Sequence, residues 1–560
     1  EYDTIQQYCP PDVTFYSSLE ADNKHKNRYV NIVACEYDTI RYDTIGFHKP
    51  KAYIAAQGPL VSTFADFWQM IWEQRTYVIV MITNLLERGR RKCDMYWPKE
   101  GSETYGMLQV KLLSEMAMAS YTVRMFTLKN LKVKKKHSSE RVIYQYHFTD
   151  WPDHGVPEYT LPALTYVRKS AAINPDSAGP IVVHCSAGVG RTGTYCVLDS
   201  MMRQIKHKNT VNVFAFLKHI RQQRNYLVQT EEQYIFTHDA LLEYIQCGET
   251  EVRSSYMTAY LHSIMQADEK TGETILGQQY QLAVSFKPKP YQIHSAEKEV
   301  NRLKNRHMDI IPVESRRVTI TPKPGEEGSD YINASFFQGF SRLQDYIITQ
   351  HPLVDTTVQD FWQMIWDHNS QTVILLTELS PAVEDNKDAD NMDDYELMTR
   401  LLHCANWPHP CSPISQAFAL VRLVQERHKN QQGGPVTVID KFGGWEASVL
   451  CRLSTLCGQM DYDDNVDVYQ VAKLLHLRRP GVWSNQDDYA YLYRAMESIC
   501  DSSSVQPPAP HPVANGHQHH GNNQQQQQHS SSNHHQHHTY HPMTTITVSP
   551  NSTPRYDTIV

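Results

Sequence analysis

One ten-residue run concentrates the side chains best able to do covalent chemistry: His184, Cys185, Ser186, Ala187, Gly188, Val189, Gly190, Arg191, Thr192 and Gly193. A cysteine closes an apolar run, small residues follow, and an arginine stands six positions after the cysteine. Such a loop can cradle a phosphate, because small residues let successive backbone N–H groups converge on one anion, and a helix beginning there adds the positive end of its dipole. The same donors stabilise a thiolate, which makes Cys185 a candidate nucleophile. Arg191 can grip two phosphoryl oxygens at once, a task that suits a planar guanidinium better than an ammonium. Thr192 can donate its hydroxyl toward the sulfur. Read alone, Cys185 is a buried structural thiol in a glycine-rich turn; Arg191 and the loop shift the balance to chemistry.

Strand, loop and helix are the elements that must hold this run, and PIVVHC from Pro180 reads as the buried strand before it. YVIVMI from Tyr77 reads as a second strand, and FWQMIW from Phe67 has helical spacing. The expected class is α/β. The stretch STFADFWQMIWEQRTYVIVMITNL from Ser62 recurs as TTVQDFWQMIWDHNSQTVILLTEL from Thr356, and KNRYVNIVA near Lys26 as KNRHMDIIP near Lys304. Whole domains are therefore duplicated, as 560 residues would suggest. The expected layout is a flank over 1–15, one domain over 16–250, a linker over 251–263, a second domain over 264–501 and a tail over 502–560. Ser, Pro, Gln, Asn and His dominate that tail to about Met543, so it is expected to be disordered.

Composition narrows the setting. With 41% hydrophobic and 20% charged residues and a formal charge of -8, a soluble globular protein is expected and nucleic acid is not the expected partner. Eleven cysteines in no paired pattern read as reduced thiols, which places the chain in the cytoplasm. No apolar run is long enough to span a membrane, and the start at Glu1 without a methionine reads as a fragment with room for a membrane segment upstream.

HCSAGVGRTG, with DWPDHGVP from Asp150 and VQTEEQY from Val228, resembles the protein tyrosine phosphatases, and the tandem arrangement resembles the intracellular part of a receptor-type member. The resemblance covers roughly four fifths of the chain. It implies twisted mixed β-sheets flanked by helices, hydrolysis of phosphotyrosine on proteins, and no metal or organic cofactor. It implies a phosphocysteine on Cys185, with Asp153 as general acid and then general base. It also assigns Gln229 and Gln233 to positioning the hydrolytic water, His184 to support of the loop, and Glu103 in GSETYG to orienting Arg191.

Three departures stand out. The second copy contains SDYINASFF from Ser329, which the resemblance takes as the phosphotyrosine-recognition segment, whereas the first has the shorter CEYDTIRYDTI from Cys35. Tyr37 or Tyr42, with Asp38 or Asp43, is then the available substitute, and a scaffold that binds without turnover is the competing reading. YDTI itself occurs at Tyr2, Tyr37, Tyr42 and Tyr556, and the terminal Thr558-Ile559-Val560 resembles a PDZ-binding end. In the second copy Asp440 stands for Cys185, Glu446 for Arg191, His409 for Asp153 and Ser484 for Gln229. Two carboxylates in place of thiol and guanidinium repel a dianion, so the second domain reads as a pseudophosphatase resembling the gamma/zeta receptor subgroup and its insect relatives.

Overall fold

The structure is a computed structural model that describes residues 1–7, 14–33, 51–133, 139–353, 357–377, 397–404, 407, 414–430, 433–483, 485–503, 544–548 and 555–558. The chain divides at Thr250 and Glu251 into two units. Each is an α/β unit with a twisted mixed sheet flanked by helices.

In the first unit the strands are Tyr53–Ala56 (β1), Val78–Met81 (β2), Ser102–Tyr105 (β3), Leu108–Ala117 (β4), Tyr121–Asn130 (β5), Glu140–Phe148 (β6) and Ile181–His184 (β7). Their order is β1-β7-β2-β6-β5-β4-β3. The four strands nearest the catalytic-type run pair in parallel, and β2 and β7 are buried along their whole length, as their unbroken apolar sequences require. Phe64–Glu73 (α1), Thr160–Ala172 (α2), Gly190–Lys208 (α3), Val213–Ile220 (α4) and Glu231–Cys247 (α5) are the principal helices. Phe67, Trp68 and Ile71 form the buried stripe of α1, and the Trp68 indole donates to the Tyr96 carbonyl at 2.8 Å. Each such side chain contributes about 1.5–3 kcal/mol by leaving water, so Trp68→Ala would cost about 3–5 kcal/mol.

The second unit repeats this plan. Its strands are Arg317–Thr319 (β8), Tyr331–Phe337 (β9), Tyr346–Gln350 (β10), Thr372–Leu375 (β11), Leu397–His403 (β12), Val436–Asp440 (β13), Thr544–Val548 (β14) and Arg555–Thr558 (β15), in the order β8-β9-β10-β13-β11-β12-β14-β15. Its helices include Met257–Met265 (α6), Val358–Asp367 (α7), Ile414–Asn430 (α8), Trp445–Asp463 (α9), Val468–Arg478 (α10) and Gln486–Ser503 (α11). The run β10-β13-β11-β12 matches β1-β7-β2-β6 strand for strand, and α7 carries the repeat of α1.

The expected boundaries need correction at three places. The first residues are not a loose flank: Ile5 is 1% exposed, and its carbonyl accepts from Arg221 Nη1 at 3.1 Å. The segment over 251–263 is not a linker, because Val252–Arg253 pairs with Asn465–Val466, while Met257, Leu261 and Ile264 of α6 are buried in the second unit. Within the tail, β14 lies antiparallel to β12, in the place that β5 holds beside β6, and β15 pairs with β14. The tail residues before β14, 504–543, lie outside the described residues.

Candidate active site

The loop after β7 is fixed from below. Gly188 adopts φ +74°, and a Cβ there would meet the Ala56 carbonyl oxygen at 2.1 Å, so only glycine allows the loop to sit against β1. Arg224 is buried and clamps the loop from behind, donating through Nε to the Gly188 carbonyl at 2.7 Å and through Nη2 to the Ala187 carbonyl at 3.2 Å. These bonds hold the two carbonyls on the side away from the Cys185 sulfur, toward which the Gly188 N–H points. Val189 is fully buried and its carbonyl accepts from Val228 N–H at 3.2 Å, tying the loop to the segment before α5. His184 donates through Nδ1 to the Cys185 carbonyl at 3.1 Å and takes the Tyr96 hydroxyl on Nε2 at 2.8 Å. Burial pushes its pKa down to about 4, which keeps it neutral in that role.

Cys185 is 5% exposed at the loop's centre. Its sulfur accepts from the Gly188 N–H at 3.2 Å and from the Thr192 hydroxyl at 3.3 Å. Thr192 thus lies where the sequence places it. Gln229 and Gln233 also come to the loop: Gln229 N–H donates to Gln233 Oε1 at 2.9 Å, and a Cβ on Gly190 would meet that oxygen at 2.8 Å.

Arg191 is aimed by a carboxylate the sequence reading missed. Glu87 accepts from Nη1 at 2.7 Å and from Nη2 at 2.9 Å, and is itself held by the Thr83 hydroxyl and the Asn84 N–H. Glu103, expected in that role, sits on edge strand β3 and accepts from the Tyr105 hydroxyl instead. The reason is topological. Glu87 lies in a two-residue ladder just beyond β2, which is beside β7, whereas β3 is at the far end of the sheet.

Arg191 also reaches the segment bearing Asp153, donating through Nη2 to the Pro152 carbonyl at 3.0 Å, with Trp151 under its guanidinium at 5.9 Å. The Asp153 carboxylate meets Lys92 at 2.6 Å, and this contact foremost holds its pKa below the ordinary carboxylate range. Lys92 is a second residue sequence reading missed.

The recognition segment requires a further correction. SDYINASFF forms β9 inside the second sheet, where Tyr331 is fully buried and donates its hydroxyl to Asn305, so it cannot wall a cleft. In the first unit the aromatic side chain at the loop is Tyr29, from KNRYVNIVA, whose hydroxyl lies 2.8 Å from Ser186 Oγ. Ser186 in turn donates to the Lys92 carbonyl at 2.6 Å. Tyr37, Asp38, Tyr42 and Asp43 lie outside the described residues, and β1 has no counterparts of β8 and β9 beside it among those described.

The second unit's equivalent loop is filled by its own side chain. Both oxygens of the buried Asp440 carboxylate accept the Gly444 N–H at 2.9 Å, one also takes Phe442 N–H and the other Ala447 N–H, each at 2.9 Å. Arg479 clamps the Gly443 carbonyl from behind, as Arg224 does Gly188. Burial, and next the Asp440 charge, push Glu446 up to about 7. His409 and Ser484 lie outside the described residues. Arg224 and Arg479 occupy matching places in the repeat, which is the signal that could have found the clamp.

The protein-tyrosine phosphatase family model matches residues 23–243, 301–395 and 382–498. Tyrosine-protein phosphatase 99A of Drosophila melanogaster is 48% identical over 551 residues, covering 89% of this chain and 41% of the relative. Putative receptor-type tyrosine-protein phosphatase mosPTP-1 of Aedes aegypti is 46% identical, covering 89% of this chain and 41% of the relative. Receptor-type tyrosine-protein phosphatase zeta of Homo sapiens is 45% identical over 584 residues, covering 92% and 25%. The chain spans less than half the length of these relatives.

Proposed function

The chain belongs to the protein-tyrosine phosphatase family, and from that premise we propose that its first unit hydrolyses phosphotyrosine on proteins while its second is a pseudophosphatase. The observation that carries the reading is the convergence on one buried sulfur: Cys185 accepts from Gly188 N–H and Thr192 hydroxyl, and Arg191, locked by Glu87, stands over the same loop.

In the first displacement the Cys185 thiolate attacks phosphorus and the P–O bond to the tyrosyl oxygen breaks. Asp153 delivers its proton to that oxygen, for which it must exchange the Lys92 contact for the substrate. Arg191 and the loop N–H groups hold the equatorial oxygens, with the guanidinium already oriented, so little reorganisation remains for the transition state. In the second displacement water attacks the phosphorus of phosphocysteine, the Asp153 carboxylate takes its proton, and the P–S bond breaks to release inorganic phosphate and the thiolate. Gln229 and Gln233, which lie against Gly190, hold that water in this reading. Thr192 supports the departing sulfur through its hydroxyl. Tyr29 supplies the aromatic wall.

In the second unit the donors that would bind phosphate are satisfied by Asp440, and Glu446 replaces the gripping arginine, so neither binding nor a nucleophile is offered. Two of these relatives are named receptor-type, and the reading extends to work on the cytoplasmic side of a membrane; among the described residues no helix is long and apolar enough to cross one. A PDZ-domain protein fits the terminal sequence as a partner, though Thr558 pairs with Thr544 and would have to be released.

Initial rates on an aryl phosphate and a phosphotyrosyl peptide, compared with Cys185→Ser, test the reading. Turnover of both that vanishes in the variant supports it. Turnover surviving in the variant, or absent from folded wild-type protein, favours the scaffold.

A further inference from the structure

The interior of the second unit carries a charge that its fold does not neutralise by contact. Arg452, in the middle of α9, is fully buried. Among the described residues only one of its guanidinium nitrogens has a hydrogen-bond partner, Nη1 donating to Ser448 Oγ at 2.9 Å, while Nε and Nη2 have none there. The corresponding place in the first unit, counted from Cys185 and Asp440, is Val197, fully buried in an apolar helix face. An arginine has thus been set where the duplicated fold takes a valine.

The surroundings show what the guanidinium faces. One side stacks on Trp483, with 3.7 Å between the guanidinium carbon and the ring centroid. The Arg452 side chain also lines a cavity of about 20 Å³ between β9, α9 and α10, whose walls are apolar apart from Gln338, Thr455 and a second buried arginine, Arg478, which donates to Gln338 Oε1 at 2.6 Å. Desolvation pushes the guanidinium down to about 9, outweighing Cys451 and Asp488, which act on it through space. The cost of an uncompensated buried charge is several kcal/mol, and arginine does not readily escape it by losing its proton. A water could take the free N–H groups but would leave the charge unmatched.

We propose that this cavity is a binding site for a small inorganic anion, chloride in ordinary salt, held by Arg452 Nε and Nη2 with Arg478 alongside. The volume decides the class. About 10–15 Å³ admits one water-sized centre, so a monoatomic anion fits while phosphate or a carboxylate ligand does not. The site is separate from the second unit's phosphate-type loop, whose donors Asp440 already occupies. Its role is to complete the core of the catalytically silent unit.

The full chain is melted in sodium chloride and in sodium gluconate at equal ionic strength, beside Arg452→Leu. With chloride at ten times its Kd the wild-type transition of the second unit should rise by about 3–6 °C, and the variant should show no such difference. Wild-type melting that is indifferent to chloride, or a shift retained in full by the variant, overturns the proposal. Should the variant not fold, crystals of the wild-type chain grown in bromide decide the matter: an anomalous peak within contact of the Arg452 guanidinium supports the site, and its absence refutes it.

Discussion

Replacing Glu87 by glutamine separates the carboxylate that aims Arg191 from the one sequence reading proposed. In the folded chain the two Glu87 oxygens take Arg191 Nη1 and Nη2 at 2.7 and 2.9 Å, with side chains only 4% and 12% exposed. Glutamine leaves one acceptor and turns an NH₂ donor toward a guanidinium that can only donate. One charge-assisted hydrogen bond is therefore lost, worth about 1.5–3 kcal/mol. If that bond is what holds Arg191 ready for the phosphoryl oxygens, the loss appears in kcat/KM as a fall of about 10–150-fold, at 1.36 kcal/mol per decade. The assay is the initial rate on an aryl phosphate at fixed pH, with thermal melts confirming that each variant is folded. Glu103→Gln, whose parent touches Tyr105 on the distant edge strand, should stay within about twofold of wild type, since exposed contacts contribute little. A Glu87→Gln rate within threefold of wild type, or a tenfold loss in Glu103→Gln, would refute the assignment.

Three further outcomes follow from the geometry. Tyr29→Ala should raise KM for a phosphotyrosyl peptide by roughly 5–100-fold, the combined worth of a ring contact and a hydrogen bond, while Tyr29→Phe, which keeps the ring, should change it by about threefold or less; steady-state kinetics read both. Lys92→Met should let the Asp153 pKa of the free enzyme rise, moving the alkaline limb of the kcat/KM pH profile upward. The same depressed carboxyl contributes stability that is complete above its unfolded value near 3.9 and is lost as pH falls through its lower folded value, so Lys92→Met should be the less stable protein near neutral pH, with the difference closing in acid. In the second unit, Asp440→Asn should cost on the order of 3 kcal/mol, a drop of about 6–12 °C in that unit's melting, with phosphatase rates unchanged. Glu446, raised from 4.5 to about 7, keeps a proton in the folded chain that the unfolded chain releases, so that unit's stability should fall as pH rises through this window, and Glu446→Gln should flatten the profile.

The sequence made the nucleophile loop legible because strand, glycines, arginine and helix are all local in the chain. Cys185, Thr192 and Arg191 meet within one turn, and no long-range information is needed to join them. The repeat similarly exposed the second unit and the carboxylates at Asp440 and Glu446. What stayed hidden depends on contacts across the fold. Glu87 lies 104 residues before Arg191, Tyr29 157 before Ser186, and Arg224 36 after Gly188, and each is joined to the loop only by the tertiary fold. Glu103 belongs to a short motif on an edge strand that the sheet carries away from the loop. The residues around Tyr331 belong to an interior strand buried on both faces, and not to a cleft wall. The hairpin of β14 and β15 could not be read from a tail dominated by His and Gln, since among the described residues the strand it pairs with is the distant β12.

Trapping the covalent intermediate tests the central claim most directly. The full chain is mixed with a phosphotyrosyl peptide, quenched within milliseconds under conditions that preserve thiophosphate esters, digested and weighed by mass spectrometry. A phosphoryl group on the peptide containing Cys185, with none on peptides carrying the other cysteines or in Cys185→Ser, is the expected result. Turnover without any phosphocysteine, or a phosphoryl group lodged on another residue, would contradict the account.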